Sequence, residues 1–290
     1  MASGSLTARS SEPARVVDLS VIHHLSFSMQ DFESAIKDLD LALFSTIESQ
    51  STDPDKQSLL AVQSAVRGLR DSYVYLEIGS HVGGSIQPHL LDDRCARIYS
   101  IDKRPLVQPD ARGVDFHYLN NSTERMMENL RELDPIAVDK VVTFDGDTNT
   151  LSPGVIDQAP QLCLIDGEHT DEAMKKDFEF CRKVLDERGG AILFHDADIT
   201  YNGIFDCVRG LEDQGVEFRA YNLPNVLFVV ELGDHKLHEH PPILKRLINN
   251  HEGYLVGLRN NDGYRRFANR FPFRQMRNTV SRLRKYTVSN

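Results

Sequence analysis

The amino-acid sequence predicts an α/β fold, a doubly wound and mostly parallel sheet of seven strands with an antiparallel hairpin at one edge. Three observations lead to this prediction. Short apolar runs alternate with amphipathic helical segments from residue 71 onward, and such alternation is typical of parallel βα units. Acidic or histidine residues follow most of these runs. The last two runs are separated only by residues 222–225, which predicts a hairpin.

The chain before the sheet is predicted to be helical after a disordered start. Residues 1–20 are small and polar, a composition typical of disorder. Residues 21–70 hold two predicted helices separated by a break at residues 51–55, and the second helix spans residues 57–69. The first begins after the candidate N-cap Ser28, and its apolar residues recur at helical spacing: Phe32, Ile36, Leu39 and Leu43.

Residues 71–232 carry the predicted sheet, and residues 233–290 form a linker with a basic C-terminal extension. The strands are expected at residues 73–79, 97–102, 140–144, 161–165, 191–194, 216–221 and 226–232, with helices at 123–133, 171–186 and 204–211.

The charge distribution separates the extension from the rest of the chain. Residues 241–290 hold eleven Lys and Arg against two Asp and Glu, whereas residues 1–240 carry a net charge of −19. An acidic body repels a phosphate backbone, so the composition argues against nucleic acid as its partner. We expect the extension to contact a second subunit of a homo-oligomer, an anionic membrane surface or an acidic acceptor.

The composition also indicates a compartment. No run approaches the ~20 apolar residues of a membrane-spanning helix, and the first residues lack the apolar stretch of a secretory signal. The four cysteines are too sparse for a disulfide framework. We therefore expect a cytoplasmic protein, with peripheral membrane contact as one use of the extension.

Side chains able to carry chemistry stand where the predicted strands end. Ligands of an open α/β sheet bind outside the carboxyl ends of its strands. In this sequence those positions hold Glu77, Asp102, Asp145, Asp166, His195 and Asp196. They are expected to converge on one crevice.

The first two strand ends favour one cofactor over another. A dinucleotide site needs the spacing G-x-G-x-x-G, but His81 stands at the middle position between Gly79 and Gly84, where an imidazole would obstruct the pyrophosphate. S-adenosylmethionine is cationic and has no phosphate, so a carboxylate at Glu77 would favour it. Asp102 could accept hydrogen bonds from both ribose hydroxyls.

On these residues the sequence resembles the class I S-adenosylmethionine-dependent methyltransferases, and the resemblance covers roughly residues 71–232. The family pattern acidic-x-Gly-x-x-x-Gly is met by Glu77, Gly79 and Gly83, and Asp102 meets the acidic end of the second strand. The resemblance implies that the loop after the third strand contacts the adenine, through Asp147 first and Asp145 next. The cofactor-binding residues expected from it are Glu77, Gly79, Ser80, Gly83, Ser85, Asp102, Asp147, Thr148 and Asp166.

Two further segments, LIDGEHT at residues 164–170 and GAILFHD at 190–196, are similar to motifs of macrocin-type sugar O-methyltransferases and cephalosporin-hydroxylase-like proteins. The similarity implies a sugar or a glycosylated small molecule as acceptor, and Mg²⁺ held by Asp166, His195 and Asp196. It also implies a catalytic base at His169 or Glu168. A hard cation lowers the pKa of a bound hydroxyl, which is otherwise a poor nucleophile.

Other interpretations stay open. His195 stands where members with well-defined magnesium sites tend to have an acid, and magnesium prefers oxygen ligands. Two histidines and a carboxylate would suit non-haem iron, which makes a metal-dependent oxygenase the alternative function. A non-catalytic cofactor-binding protein is a third. For single residues, Asp166 could cap a turn and His195 could be a hydrogen-bonded core histidine. His235, His238 and His240 are expected in an exposed linker.

Overall fold

A computed structural model describes residues 29–260 apart from 112, 114, 119 and 120, together with residues 262, 267, 270–276 and 279. The disorder predicted for residues 1–20 and the N-cap predicted at Ser28 lie outside these residues. Within the described residues, eight strands form the central sheet. Its strands are β1 (Tyr73–Ile78), β2 (Cys95–Asp102), β5 (Val141–Asp145), β6 (Leu162–Ile165), β7 (Gly190–Phe194), β8 (Phe218–Asn222), β9 (Phe228–Leu232) and β10 (Asn249–Asn250), and strands β3 and β4 form a separate hairpin described below. The strand order across the central sheet is β10-β8-β9-β7-β6-β1-β2-β5.

The sheet confirms the predicted fold class. Strands β1, β2, β5, β6 and β7 run parallel, and the β8–β9 hairpin joins them with β9 antiparallel to β7. These are the seven predicted strands, and the two-residue β10 extends the edge beyond β8.

Helices cover both faces of the sheet because successive side chains of each strand point to opposite sides. In β1, Tyr73 and Tyr75 join one apolar cluster, whereas Val74 and Leu76 join the other. The helices on the first face are α1 (Met29–Asp38), α2 (Asp53–Leu69), α3 (Gln87–Leu90), α4 (Thr123–Leu133) and α7 (Pro241–Leu244), and those on the second are α5 (Asp171–Val184), α6 (Tyr201–Asp213) and α8 (His251–Asn260).

The N-terminal helices depart from their predicted bounds. The first ends at Asp38 because Leu39 has a φ of 54°, and a separate 3₁₀ turn follows over Leu41–Phe44. The second begins at Asp53, four residues before its predicted start, with Thr52 as its N-cap. Its buried residues pack in one apolar cluster with strands of the sheet, so the N-terminal helices and the sheet share a core.

A short antiparallel hairpin was not predicted. Strands β3 (Val107–Pro109) and β4 (Asp115–His117) are three residues each, too short to give an alternating pattern. The hairpin is anchored near the strand ends, since Ala111 N–H donates to the carbonyl of His169 over 2.8 Å. Arg274, from the C-terminal extension, donates to the carbonyl of Gly113 between the two strands.

The remaining composition-based expectations concern cysteines and membrane spans. All four cysteines are buried, and none of them forms a disulfide. None of the helices in the described part of the chain combines the length and the apolar composition required to cross a bilayer.

Candidate functional site

Two neighbouring cavities open at the carboxyl ends of the parallel strands. The large cavity has a volume of about 290 Å³ and is lined by strand-end residues, the glycine turn after β1, residues 48–52 and the β3–β4 hairpin. The small cavity, about 30 Å³, lies over the ends of β2, β5 and β6. Both are lined by Gly79, Asp102 and Gln108, so they meet at the end of β2.

The turn after β1 depends on glycine at two positions. Gly79 has a φ of 93°, and a Cβ there would lie 2.2 Å from the carbonyl oxygen of Asp166. Gly83 has a φ of 91° and packs against Leu130 and Met126 of α4. Such φ values strain any residue with a side chain. The backbone of the turn therefore packs directly against the residue that follows β6, and the turn forms part of the wall of both cavities.

Glu77 supports this turn from below. Its side chain is fully buried, accepts a hydrogen bond from Tyr75 Oη over 2.9 Å and accepts another from the hydroxyl of Ser85. Burial raises the pKa of Glu77 to about 7, although both hydrogen bonds oppose that rise. Glu77 is not among the residues that line either cavity, whereas Ser80 and Ser85 line the large one.

Asp102 lies at the junction of the two cavities and is only 6% exposed. Its Oδ2 accepts from the His81 N–H over 3.0 Å, and its Oδ1 accepts from the Arg104 N–H over 2.8 Å. Arg104 Nη1 also lies 3.3 Å from Oδ2. These contacts fix the carboxylate, and Oδ1 keeps a second lone pair for a ligand.

The small cavity is lined by one of the two residues predicted to contact the adenine and by several residues that were not predicted. Asp147 and Thr148 line it, and Asp145 lines neither cavity. The Thr148 hydroxyl donates to Asp177 Oδ1 over 2.5 Å, and burial raises the pKa of Asp177 to about 7. The polar lining residues that were not predicted are Lys103, Gln108, Asn149 and Asp177.

The two candidate bases face different cavities. Glu168 lines the small cavity, and its carboxylate accepts from Lys103 Nζ over 2.5 Å and from the Thr170 hydroxyl over 2.9 Å. His169 lines the large cavity, with Phe116 of the hairpin against its ring at a centroid distance of 6.0 Å.

Three of the predicted ligands converge at the ends of β6 and β7. His195 Nδ1 lies 3.2 Å from both Asp166 Oδ1 and Asp196 Oδ2. Ligand atoms about 2.1 Å from an octahedral cation lie roughly 3 Å from one another, which matches these separations. Both ring nitrogens of His195 are buried, and neither forms a hydrogen bond of acceptable geometry. The donor set therefore fits a divalent cation better than a hydrogen-bonded core histidine.

His169 stands beside this group without belonging to it. Its Nε2 lies 3.2 Å from Asp196 Oδ2 and 3.8 Å from Asp166 Oδ1. In the described part of the chain, only Asp166, His195 and Asp196 offer three ligand atoms within 4.8 Å of one another. Iron held by two histidines and one carboxylate would need His169 in that set.

The carboxylates control the protonation of both histidines. Burial disfavours a charged imidazole, but the charge of Asp166 outweighs it and holds the pKa of His195 well above its usual value. For His169, burial is again opposed, by Asp166 and Asp196, and its pKa is raised. A cation on these carboxylates would offset their charge.

Sequence reasoning missed the part of the site contributed by the N-terminal helices. Glu48, Thr52 and Asp55 line the large cavity, and Asp55 Oδ2 lies 3.8 Å from His195 Nε2. Asp55 and His195 are far apart in the chain, so no local spacing could indicate this contact. The expectation that His235, His238 and His240 lie in an exposed linker is wrong, because all three are partly buried. His238 contacts Glu231, and none of the three lines either cavity.

Comparisons with known proteins bear on the same region. Residues 76–197, which contain the turn and the carboxyl ends of all five parallel strands, match a family model described as a methyltransferase domain. No curated protein matches the chain significantly.

Several solved structures are similar to this chain. The O-methyltransferase NovP is 14% identical, with 62% of this chain and 79% of that chain covered and a TM-score of 0.47. TomG from Streptomyces achromogenes, an O-methyltransferase of tomaymycin synthesis solved with S-adenosylmethionine, is 13% identical, with coverages of 74% and 93% and a TM-score of 0.45. The calicheamicin methyltransferase CalS11 is 18% identical, with coverages of 77% and 100% and a TM-score of 0.45.

Proposed function

We propose that this chain, an S-adenosylmethionine-dependent methyltransferase of class I, transfers the methyl group to a hydroxyl of a sugar or a glycosylated small molecule. The family predicted from the strand ends is confirmed by the match to residues 76–197. The observation that carries the proposal is the pair of cavities meeting at Asp102, because a cofactor lying across their junction would stand next to an acceptor in the large cavity.

The cofactor is proposed to lie across the junction. Its adenine would lie against the small cavity beside Asp147 and Thr148, where the cavity would have to widen to enclose a purine, and its ribose hydroxyls would donate to Asp102. The methionine part would lie along the turn from Gly79 to Ser85 in the large cavity. Glu77, buried behind this turn, would hold Ser85 in place rather than bind the cofactor directly.

The lining of the large cavity supports a polyhydroxylated acceptor. Serine, threonine, glutamine and asparagine side chains face it, and each can donate or accept hydrogen bonds. Phe116 and Tyr118 add two aromatic rings on the hairpin side, against which the apolar face of a sugar ring can pack.

We propose that Asp166, His195 and Asp196 hold a divalent cation, Mg²⁺ as the first candidate. Such an ion, when bound, lowers the pKa of a coordinated acceptor hydroxyl. His169 Nε2, 3.2 Å from Asp196 and facing the large cavity, would take the hydroxyl proton as the oxygen attacks the methyl carbon, while the methyl–sulfur bond breaks and S-adenosylhomocysteine leaves. The remaining rate enhancement would come from holding the acceptor oxygen, the methyl carbon and the sulfur in line within the large cavity.

The alternative functions have less support. An oxygenase would need a two-histidine ligand set, and His169 lies outside the group of converging ligand atoms. A protein that binds the cofactor without catalysis would not need a histidine beside an acceptor-sized cavity.

Methyl transfer from labelled S-adenosylmethionine to a panel of glycosides, catechols and amines tests the proposal. We expect label in a glycoside product. His169→Ala should lower turnover by about 10²- to 10⁴-fold with S-adenosylhomocysteine affinity retained, whereas Glu168→Gln should keep turnover within a few fold. Oxygen consumption without methylated product would favour the oxygenase, and cofactor binding without any product would favour the non-catalytic protein.

We also propose that the C-terminal extension binds an anionic membrane surface from the cytoplasmic side. Large apolar side chains in its described part are exposed beside arginines: Phe267, Phe271, Phe273 and Met276 lie next to Arg270 and Arg274. Aromatic and basic residues together favour the interface of an anionic bilayer.

A further inference from the structure

Helix α2 begins at the rim of the large cavity and places the carboxylate of Asp55 inside it. Asp55 stands in the first turn of this helix, yet its side chain is fully buried. A buried carboxylate is costly unless it is hydrogen-bonded or paired. Its neighbours therefore indicate what it does.

Part of the answer is structural. Asp55 Oδ2 accepts from the Thr52 hydroxyl over 2.6 Å and from Asn225 Nδ2 over 2.6 Å, and Oδ1 accepts from the Val226 N–H over 3.2 Å. These bonds join the start of α2 to the β8–β9 connection.

The remaining neighbour of Asp55 is His195. Its imidazole lies between carboxylates on two sides, with Nε2 3.8 Å from Asp55 Oδ2 and Nδ1 3.2 Å from Asp166 and Asp196. A carboxylate behind a ligating histidine orients its ring and makes the other nitrogen a better donor to the metal.

We propose that Asp55 is a positioning residue: when Nδ1 of His195 binds a divalent cation together with Asp166 and Asp196, the Asp55 carboxylate, 3.8 Å from Nε2, would accept a hydrogen bond from this nitrogen and so orient the ring. The inference rests on the metal site of the proposed function. It makes the N-terminal helical segment part of that site, since the positioning carboxylate comes from α2.

Binding of Mn²⁺ to the full chain, measured from free Mn²⁺ by electron paramagnetic resonance, tests this role without any turnover. Asp55→Asn should weaken Mn²⁺ affinity roughly 10- to 100-fold. Asp53→Asn is the matched control, because Asp53 stands in the same helical turn but is exposed. It should change the affinity by less than about twofold, and both variants should keep the S-adenosylhomocysteine affinity of the wild type.

A double-mutant cycle separates positioning from general loss of structure. A carboxylate ligand at position 195 needs no partner behind it, so in a His195→Asp background Asp55→Asn should no longer weaken Mn²⁺ binding. An equal loss in that background, or wild-type affinity in Asp55→Asn, would overturn the inference. If Asp55→Asn does not fold, Asp55→Ser loses the same carboxylate and carries the same expectation.

If the divalent-cation site of the proposed function does not exist, the binding measurements give a different result. A wild-type chain that binds S-adenosylhomocysteine but not Mn²⁺ would remove the metal site and this inference with it. A wild-type chain that binds neither would contradict the proposed function as a whole.

Discussion

At the scale of single residues, the strand-end acids divide into groups with different surroundings. Asp102 faces both cavities, Glu77 is buried behind the turn, and Asp145 lines neither cavity. The sequence presents all three in the same way, as an acid that follows an apolar run. Only the packing around each carboxylate distinguishes a ligand-facing group from a supporting one.

Asp102→Ala should weaken S-adenosylhomocysteine binding by about 10- to 100-fold, because charge-assisted hydrogen bonds contribute roughly 1.5–3 kcal/mol each. Titration calorimetry measures the change. Asp145→Ala is the control, since Asp145 ends the neighbouring strand and pairs in register with Asp102 but lines neither cavity. Equal losses in the two variants would contradict the ribose role.

Glu77 should make the stability of the fold depend on pH. Its folded pKa of about 7 lies above the ordinary value of 4.5, so its contribution is fully present below pH 4.5 and is lost as pH rises through 7. The difference amounts to about 3 kcal/mol. Glu77→Gln should therefore gain stability relative to the wild type between pH 5 and 8, measured by urea unfolding. A constant difference across that range would show that Glu77 ionises normally.

At the scale of elements, the strands were predictable and their connections were not. Runs such as Tyr73–Ile78 are apolar because both sheet faces are covered, and that pattern is visible in the sequence. The β3–β4 hairpin is too short for any pattern. The clustering of Asp166, His195 and Asp196 followed from the rule that parallel strands end at one edge, whereas the approach of Asp55 depends on how α2 packs.

The glycine turn should tolerate no side chain at its first position. Gly79→Ala combines a φ of 93° with a Cβ 2.2 Å from a backbone oxygen, so we expect a loss of several kcal/mol and of cofactor binding. Thermal unfolding measures it. Gly210→Ala, in α6 with nothing within 4 Å of the added carbon, should instead stabilise the fold by up to about 1 kcal/mol. A melting temperature unchanged in Gly79→Ala would show that the turn can relax.

At the scale of the whole molecule, charge separates an acidic body from a basic extension that returns to it at Gly113. The expectation of an anionic partner followed from charge counts alone. Which residues of the extension are exposed could not be read from the sequence, since Leu255 in the same region is buried and Phe271 is 77% exposed.

The full chain should sediment with vesicles containing phosphatidylglycerol at low salt and not with phosphatidylcholine vesicles, and added salt should weaken binding. Phe271→Ser should reduce the affinity roughly tenfold, in line with the free energy of burying a large apolar side chain. Ile136→Ser is the control, because Ile136 is equally prominent at 83% exposed but lies in the acidic body. Concentration-dependent dimerisation without vesicle binding would favour subunit contact instead.

The charge of the residues that line the large cavity has a consequence for the proposed acceptor. Of its described lining residues five are acidic, Glu48, Asp55, Asp102, Asp166 and Asp196, and none is lysine or arginine. A cationic cofactor and a divalent ion would neutralise part of this charge, and an acceptor would meet the carboxylates that stay unpaired. Phosphorylated sugars and uronic acids would therefore be repelled at the mouth of the cavity, whereas neutral and amine-bearing sugars would be admitted. The carboxylates proposed to hold the cofactor and the ion would thus also select acceptors by charge.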